Sequence, residues 1–506
     1  MELAGQNLIH ALCPGFGYVP YWSIAVDRQY ALHLGGVSGV HNIGRVWDAL
    51  LRLESATGFK IPPDVETTFL ATTKRYFGNP DRMCWEPLDW DGLHPQFELH
   101  SFREHLLALN AISAYRHDAW AAETGHGMIE TLLRASRDDC SWDLDAFDYY
   151  HRTENHYTRF MDPVGSNGRV IEALVYFYRT THDPLALELA ERFARWHLAN
   201  STHADGTLNK TPGLDHTHSY MCTLRGLLLY GQLTHQAKYV EAVAQTYRHT
   251  VLGTVIRESG WNSHDFGADG THEPASAADA AQIGMLLAEN GYPEFWDDVE
   301  RLVRCRLIPS QITKCRPLTV SPEDTRRIHG DPASMILGAY GGMHLEPHGG
   351  KQAVTDVTAA VLHSLVDICR HIVTRDDRGV CINLHFDYRD PSIDIRTTRG
   401  ALAKVVITAH CAENTLIRIP AWTPKESIRL SVGNVETALK MIGDYAFVPR
   451  RPPPYDMVLE YALPERTTSE TVGGVAFQFM WRGDDIVGIS PNTDFFPFYP
   501  SAPSAQ

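Results

Sequence analysis

GRVIEALVYFYRTTHDPLALELAERFARWHLANS, residues 168–201, holds two apolar stretches joined by a short polar break. On both sides of TTHDPLA the apolar residues recur at three- and four-residue spacing, the mark of two amphipathic helices. Asp183 followed by Pro184 reads as an N-cap and a first-turn proline, so the second helix starts there. One helical hairpin cannot bury both of its apolar faces, so neighbours of the same kind are expected.

They are present on both sides. SFREHLLALNAISAYRHDAWAAETGHGMIETLLRAS (101–136) repeats the pattern with YRHDAW as its break. NIGRVWDALLRLESATGFKIPPDVETTFLATTKRYF (42–77), LRGLLLYGQLTHQAKYVEAVAQTYRHTVLG (224–253) and AADAAQIGMLLAENGYPEFWDDVERLVRCRLI (277–308) fit as well. A sixth, weaker unit starts near Val354 with VTDVTAAVLHSLVDICRHIV. Six hairpins in succession predict an (α/α)6 toroid or an open solenoid. Long irregular insertions between hairpins, and no evident capping repeats, favour the toroid, in which such loops gather at one mouth.

After about residue 378 the period changes from 3.6 to 2. VCINLHFDY, SIDIRT, KVVITAH, TLIRIP, SIRLSV and DMVLEYAL read as short strands separated by turn residues. The expected fold is therefore α+β and multidomain. A toroid spans 1–377, a β-sandwich spans 378–495, and a Pro/Ser-rich flexible tail spans 496–506.

Composition narrows the function. The 506 residues carry a net charge of −16 without basic runs, which argues against nucleic acid. A neutral or sugar-like ligand suits that balance better than a polyanion. No apolar run is long enough for a membrane span. The first residues lack a basic region ahead of their apolar stretch, so no secretory signal is expected. Nine scattered cysteines without a CxxC pair suggest reduced thiols in a cytoplasmic protein. A homodimer is compatible with all of this.

Polar chemistry concentrates in the loops that precede the hairpins. His41 and Asn42 come before the first. Trp90, Asp91, His94, Glu98 and His100 come before the second. His151, Asn155, His156 and Asp162 come before the third, and Asp215, His216 and His218 before the fourth. Glu258, Trp261, His264, Asp265, His272 and Glu273 come before the fifth, and His344, Glu346 and His348 before the sixth. In a toroid these loops share one face, which predicts a single pocket of acids, imidazoles and aromatic rings. Trp90, Tyr150, Tyr220 and Trp261 are of the type that stacks on a sugar ring. His216-x-His218 has a weak metal-ligand spacing, and no metal or other cofactor is assigned.

HNIGRVWDALLRLE, HSFREHLLAL, GRVIEALVYFYRTTHDPLALELAERFARWHL, DHTHSYMCTLRGLLLYG and WDDVERLVRCRLIPSQ, with CINLHFDY, SIDIRT and LIRIPAW further on, resemble the β-L-arabinofuranosidase-like glycoside hydrolases over roughly residues 35–460. The resemblance implies an (α/α)6 barrel followed by β-sandwich domains. It also implies a zinc ion held by a Glu and cysteines, a cysteine nucleophile, and an upstream Glu as acid/base. The zinc-ligand motif E-T-C of that family falls here on Glu273–Pro274–Ala275, and its Cys–Cys pair falls on Gly349–Gly350. Glu273 is retained and the sulfur ligands are not, so a thiolate mechanism is not expected.

The leading expectation is a glycoside hydrolase acting on a plant or microbial oligosaccharide or glycoside through carboxylates, with Glu273, Asp265 and Glu346 as catalytic candidates. His41, Asn42, Trp90, His100, His156, His216, His218, Trp261, His264 and His348 are expected to bind substrate. The alternatives are a polysaccharide lyase using His or Tyr220, with Arg103, Arg169 or Arg225 for a uronate, and a glycan-binding protein without activity.

Overall fold

The structure is a computed structural model that describes residues 1–207, 216–262, 265, 273–328, 330–341 and 352–502. Six helices form an inner ring: Asn42–Thr57, Phe102–Arg116, Arg169–Thr181, Thr217–Thr234, Pro274–Glu289 and Thr355–Arg370. Each packs on the next, and the sixth packs back on the first, so the ring is closed. The barrel is the expected (α/α)6 toroid.

Outer helices Ala119–Ala135, Pro184–Asn200, Ala237–Thr246 and Trp296–Leu302 pack on the second to fifth inner helices. The outer helix Pro63–Tyr76 lies on the first, where Phe69 stacks on Trp47 at 4.8 Å. The sixth outer position is filled from the far end of the chain. Helix Glu2–His10 packs on both the sixth and the first inner helices. The sixth hairpin is weak in the sequence because only its inner member is local.

The polar breaks that mark the repeat have a common geometry. His117, His182 and His235 each end an inner helix in the left-handed conformation. The next residue opens the outer helix, with Asp118 accepting from Trp120 N and Asp183 from Leu185 N. Inner helices are buried on every side, Thr217 to Gly231 without interruption. At two points the backbones touch. A Cβ at Gly44 would overlap the Glu104 carbonyl, and one at Gly226 would press on Ile171.

A four-stranded sheet that includes Ser23–Val26 and Gln352–Val354 is built from the barrel's part of the sequence, and the C-terminal strands begin at Val373. One six-stranded antiparallel sheet is centred on Leu402–Ala409 and Tyr455–Ala462, whose residues alternate between core and surface. A five-stranded sheet is centred on Thr415–Arg418, which pairs in parallel with Gly379–Ile382. Val405, Ile407 and Leu459 of the first sheet share a core with Val380, Ile382 and Ile417 of the second. Beyond them Glu465–Val472, Val475–Arg482 and Asp485–Ser490 form a three-stranded sheet that the sequence reading did not resolve.

Residues 496–506 were expected to form a flexible tail, and as far as residue 502 the segment is packed against the rest of the chain. Phe496, Phe498 and Tyr499 are buried. The Tyr499 hydroxyl donates to Cys305 O and accepts from Trp261 Nε1, which ties the segment to the barrel. Among the described residues no helix is long and apolar enough to cross a membrane.

Candidate active site

The N-terminal ends of the inner helices surround a cavity of about 310 Å³. His41 caps the first helix, and Glu98 and His100 precede the second. His216 and His218 open the fourth, Glu273 caps the fifth, and Asp356 is the second residue of the sixth. All seven line the cavity, together with Trp22, Arg45, Tyr157, Arg159, Phe160 and Ala275.

Local structure places them. Strand Gln352–Val354 pairs with Ser23–Val26 and runs straight into the sixth helix. Thr355 Oγ1 donates to Tyr21 O, and Thr355 N donates to Trp22 O. These bonds set Asp356 and Trp22 side by side at the mouth. Phe97 exchanges backbone bonds with Asn155 and Tyr157, which fixes Glu98 on one strand and Tyr157 to Phe160 on the other.

Rings form a band along the wall. His41 stacks on His100 at 5.4 Å, His100 on Phe160 at 4.4 Å, and Phe160 lies 4.7 Å from His216. His100 Nδ1 donates to Gly165 O and its Nε2 accepts from Arg169, so the ring is neutral. Burial and Arg169 hold its pKa well below the ordinary value. Burial likewise lowers His41, against the pull of Glu104 and Asp356. Its Nδ1 meets Ser101 Oγ at 3.0 Å, and its Nε2 accepts from Arg45 Nε and lies 3.6 Å from Asp356 Oδ2.

The carboxyl groups of the wall differ. Burial, with Glu104 and Asp356 nearby, pushes Glu98 up to about 7. Asp356 goes the other way. Burial opposes its charge, but His41 and Arg45 outweigh burial and hold it below the ordinary range. Glu273 is buried and makes no capping bond to its own helix.

Beneath the wall lies a floor of paired charge. Glu104 accepts from Arg103 and Arg169 and pairs with Arg45 at 3.0 Å. Glu172 accepts from Arg103 and Arg225 and meets His363 at 3.1 Å. Asp279 accepts from Arg225 and from His218 Nδ1. Arg45 Nη2 lies 2.7 Å from His218 Nε2. Asp279 and Cys222 favour the charged ring against burial and raise it to about 9, while Arg45 opposes them. Cys222, which the sequence reading passed over, sits here. Burial works against its thiolate, but Arg103 and His218 outweigh burial and bring it to about 7.

His218, Cys222 and Asp279 also form a cluster of metal-ligand type among the described residues. Its donor atoms are already engaged by Arg45 and Arg225, whose charges oppose a divalent cation. The zinc site implied by the resemblance fits no better. Glu273 faces the cavity, but Ala275 puts a methyl group where that site needs a thiolate, and none of the described cysteines lines the cavity.

Several expected residues lie elsewhere. Asp265 does not line the cavity. It pairs with Arg159 at 3.2 Å and bridges through its backbone to His216. Trp90 packs on Phe16 and under Arg75. His156 stacks on Tyr150 and bonds to the carbonyls of residues 150 and 153. Asn42 is wholly buried in the first helix, and its carboxamide makes no hydrogen bond to a described group. Trp261 is buried against Arg306 and the three-stranded sheet. Tyr220 is buried and donates to Ser201 O. Glu346, His264 and His348, with Gly349 and Gly350, lie outside the described residues.

No protein-family profile matches the sequence, and no curated protein is significantly similar to it. Solved structures do share its fold. A GH127 β-arabinofuranosidase superposes with a TM-score of 0.62 at 12% identity, over 96% of this chain and 78% of the other. A structure described as a glycoside hydrolase gives 0.55 at 12%, over 88% and 76%. A GH127 β-L-arabinofuranosidase from Geobacillus stearothermophilus T6 gives 0.53 at 11%, over 89% and 78%. The chain thus has a glycoside-hydrolase-like fold.

Proposed function

We propose that the protein is a carbohydrate-active enzyme, a glycoside hydrolase that works through carboxyl groups. One observation carries this reading. Glu98 and Asp356 line the same cavity, and their surroundings move their pKa values apart. A carboxyl kept protonated beside one kept ionised is the arrangement that glycoside cleavage needs. Glu98 gives its proton to the leaving oxygen as the glycosidic bond breaks. Asp356, kept ionised, takes the proton of the attacking water or faces the positive charge that grows on the sugar ring. Glu273 is the third carboxyl within the cavity and the counterpart of the family's retained Glu. Trp22 and Phe160 supply apolar faces for a sugar ring.

The lyase reading is weaker. Tyr220 is buried away from the cavity, and Arg103, Arg169 and Arg225 are committed to Glu104, Glu172 and Asp279. None is left for a uronate carboxylate.

The test is a panel of aryl glycosides and oligosaccharides, beginning with β-L-arabinofuranosides, followed by released reducing sugar and ultraviolet absorbance. Reducing ends without an unsaturated product, abolished by Glu98→Gln, are expected. An unsaturated product would move the assignment to a lyase. Absence of any product from a broad panel, with binding retained, would make it a sugar-binding protein.

A further inference from the structure

The mouth lies at the N-terminal ends of the inner helices. Their C-terminal ends surround a second recess, of about 460 Å³, and all six helices contribute side chains to it.

Two kinds of polar group line this far end. The first kind is engaged. Arg52 pairs with Asp48 at 2.8 Å and with Asp367 at 3.0 Å, and Arg370 pairs with Asp367 at 3.3 Å. His371 Nε2 lies 3.1 Å from Glu289. Both carboxyl groups of the recess, Asp367 and Glu289, therefore already face a cation.

The second kind has no partner among the described residues. Arg179 is exposed at the rim and makes neither an ion pair nor a hydrogen bond. The hydroxyl groups of Tyr115 and Tyr176 and the carboxamide of Gln232 are also unpaired, and these side chains are only partly buried. Asn110 is 5% exposed, and its Oδ1 accepts from Thr180 Oγ1 at 2.8 Å. That bond fixes the carboxamide. Its Nδ2 has no partner, yet it is not sealed off, so it meets the open space of the recess. A carboxamide so deeply set is nearly always paired on both sides, which points to a partner from outside the chain.

Charge narrows the choice. Arg52, Arg179 and Arg370 stand against Asp367 and Glu289. Burial opposes a charged His371, but Glu289 outweighs burial and raises its pKa above the ordinary value. A cationic ligand would meet this positive surplus. A polyanion would meet the negative ends of six helices, which offset part of the surplus. What is left unengaged is one guanidinium, two carboxamides and two phenols, mostly donors. We propose that this recess binds a small sugar acid, a polyhydroxylated molecule with one carboxylate, with Arg179 on the carboxylate and Asn110, Gln232 and the two tyrosines on the hydroxyl groups. A guanidinium takes a carboxylate through two parallel N–H bonds, and amides and phenols serve hydroxyl groups that both donate and accept. The site does not depend on what the mouth cleaves.

The full chain is titrated in a calorimeter with sodium glucuronate and sodium gluconate, and with glucose and sodium acetate beside them. At least one of the two sugar acids is expected to bind, about tenfold or more tighter than glucose or acetate. Arg179→Gln should weaken that binding by about tenfold or more, and Asn110→Ala and Tyr115→Phe by a few-fold each. Arg179 is exposed, so its variant keeps the test valid even if Asn110→Ala does not fold. Arg159→Gln, which alters the mouth instead, should leave the affinity as it was. No binding of either acid, glucose or acetate bound as tightly as the acids, or an affinity that Arg179→Gln leaves unchanged would overturn the proposal. A loss with Arg159→Gln equal to that with Arg179→Gln would overturn it too, by placing the acid in the mouth.

Discussion

The wall and the floor of the barrel are built from the same residue types and behave in opposite ways. In the floor, Glu104, Glu172 and Asp279 are each held by at least two cationic side chains, and all three carboxyl groups fall below the ordinary range. In the wall, Glu98 rises instead, because it is buried and lies near Glu104 and Asp356, while Asp356 itself stays low. Complete pairing makes charge structural, whereas incomplete pairing leaves a proton available near neutral pH. The band of neutral imidazoles belongs to the wall, and His218 joins the two layers.

The largest effect that would break this contrast concerns Glu98. Glu98→Gln should lower kcat by about 10²–10⁴-fold while the melting temperature stays close to that of the parent. A few-fold loss would remove Glu98 as the acid and leave Glu273 to be tested in its place. Next comes the floor. Glu172→Gln takes one of two carboxylate partners from each of Arg103, Arg225 and His363, and chemical denaturation should show a loss of about 3–5 kcal/mol. A loss below about 1 kcal/mol would mean that the floor is not the stabilising layer it is taken to be.

A third comparison uses pH, and Glu98 has the opposite sign to the floor. Floor carboxyl groups have folded values below their unfolded ones. Their contribution is present above the ordinary carboxylate range and is lost as pH falls through the lower folded values. Glu98 has a raised folded value. Its contribution is present below about 4.5 and is lost as pH rises towards about 7. Catalysis should follow the wall. Plotted against pH, kcat/KM should fall on the alkaline side near pH 7, as Glu98 gives up its proton, and on the acid side as Asp356 gains one. An alkaline limb that Glu98→Gln leaves in place would assign it to another group.

The smallest effect is expected at the rim. Asp265→Asn releases Arg159 and should change KM by a few-fold with kcat nearly constant. A loss of kcat as large as that of Glu98→Gln would return Asp265 to the catalytic set.

Much of this was legible in the amino-acid order, for identifiable reasons. Hairpins repeat in sequence, so the toroid and the shared face of its loops could be read before any coordinates. His41, His100, His216, His218 and Glu273 were placed at the mouth because each immediately precedes or opens an inner helix. Asp356 was passed over because an acid in a first turn has an ordinary helix-dipole explanation. Trp261 misled because its loop belongs to the mouth while its ring turns towards Tyr499, a partner more than two hundred residues away. Glu98 stood among several loop acids, and nothing local reveals that burial would raise its pKa. The floor was hidden for a similar reason. Arg103, Arg169 and Arg225 look like helix-start residues until the ring brings Glu104, Glu172 and Asp279 against them.

Closure of the ring by helix Glu2–His10 also has a consequence for how the molecule is made. Its seat is formed by the first inner helix and by Thr355–Arg370, so half of the seat does not exist until the ribosome has passed residue 370. Until then that helix has only part of its apolar face covered. The barrel can gather five hairpins in order of synthesis, but its last seam joins residues more than three hundred positions apart, the slowest kind of contact for a chain to find. Asp356 sits at that seam, one residue into the sixth helix. The mouth cavity and the locking of the fold are therefore completed in the same event.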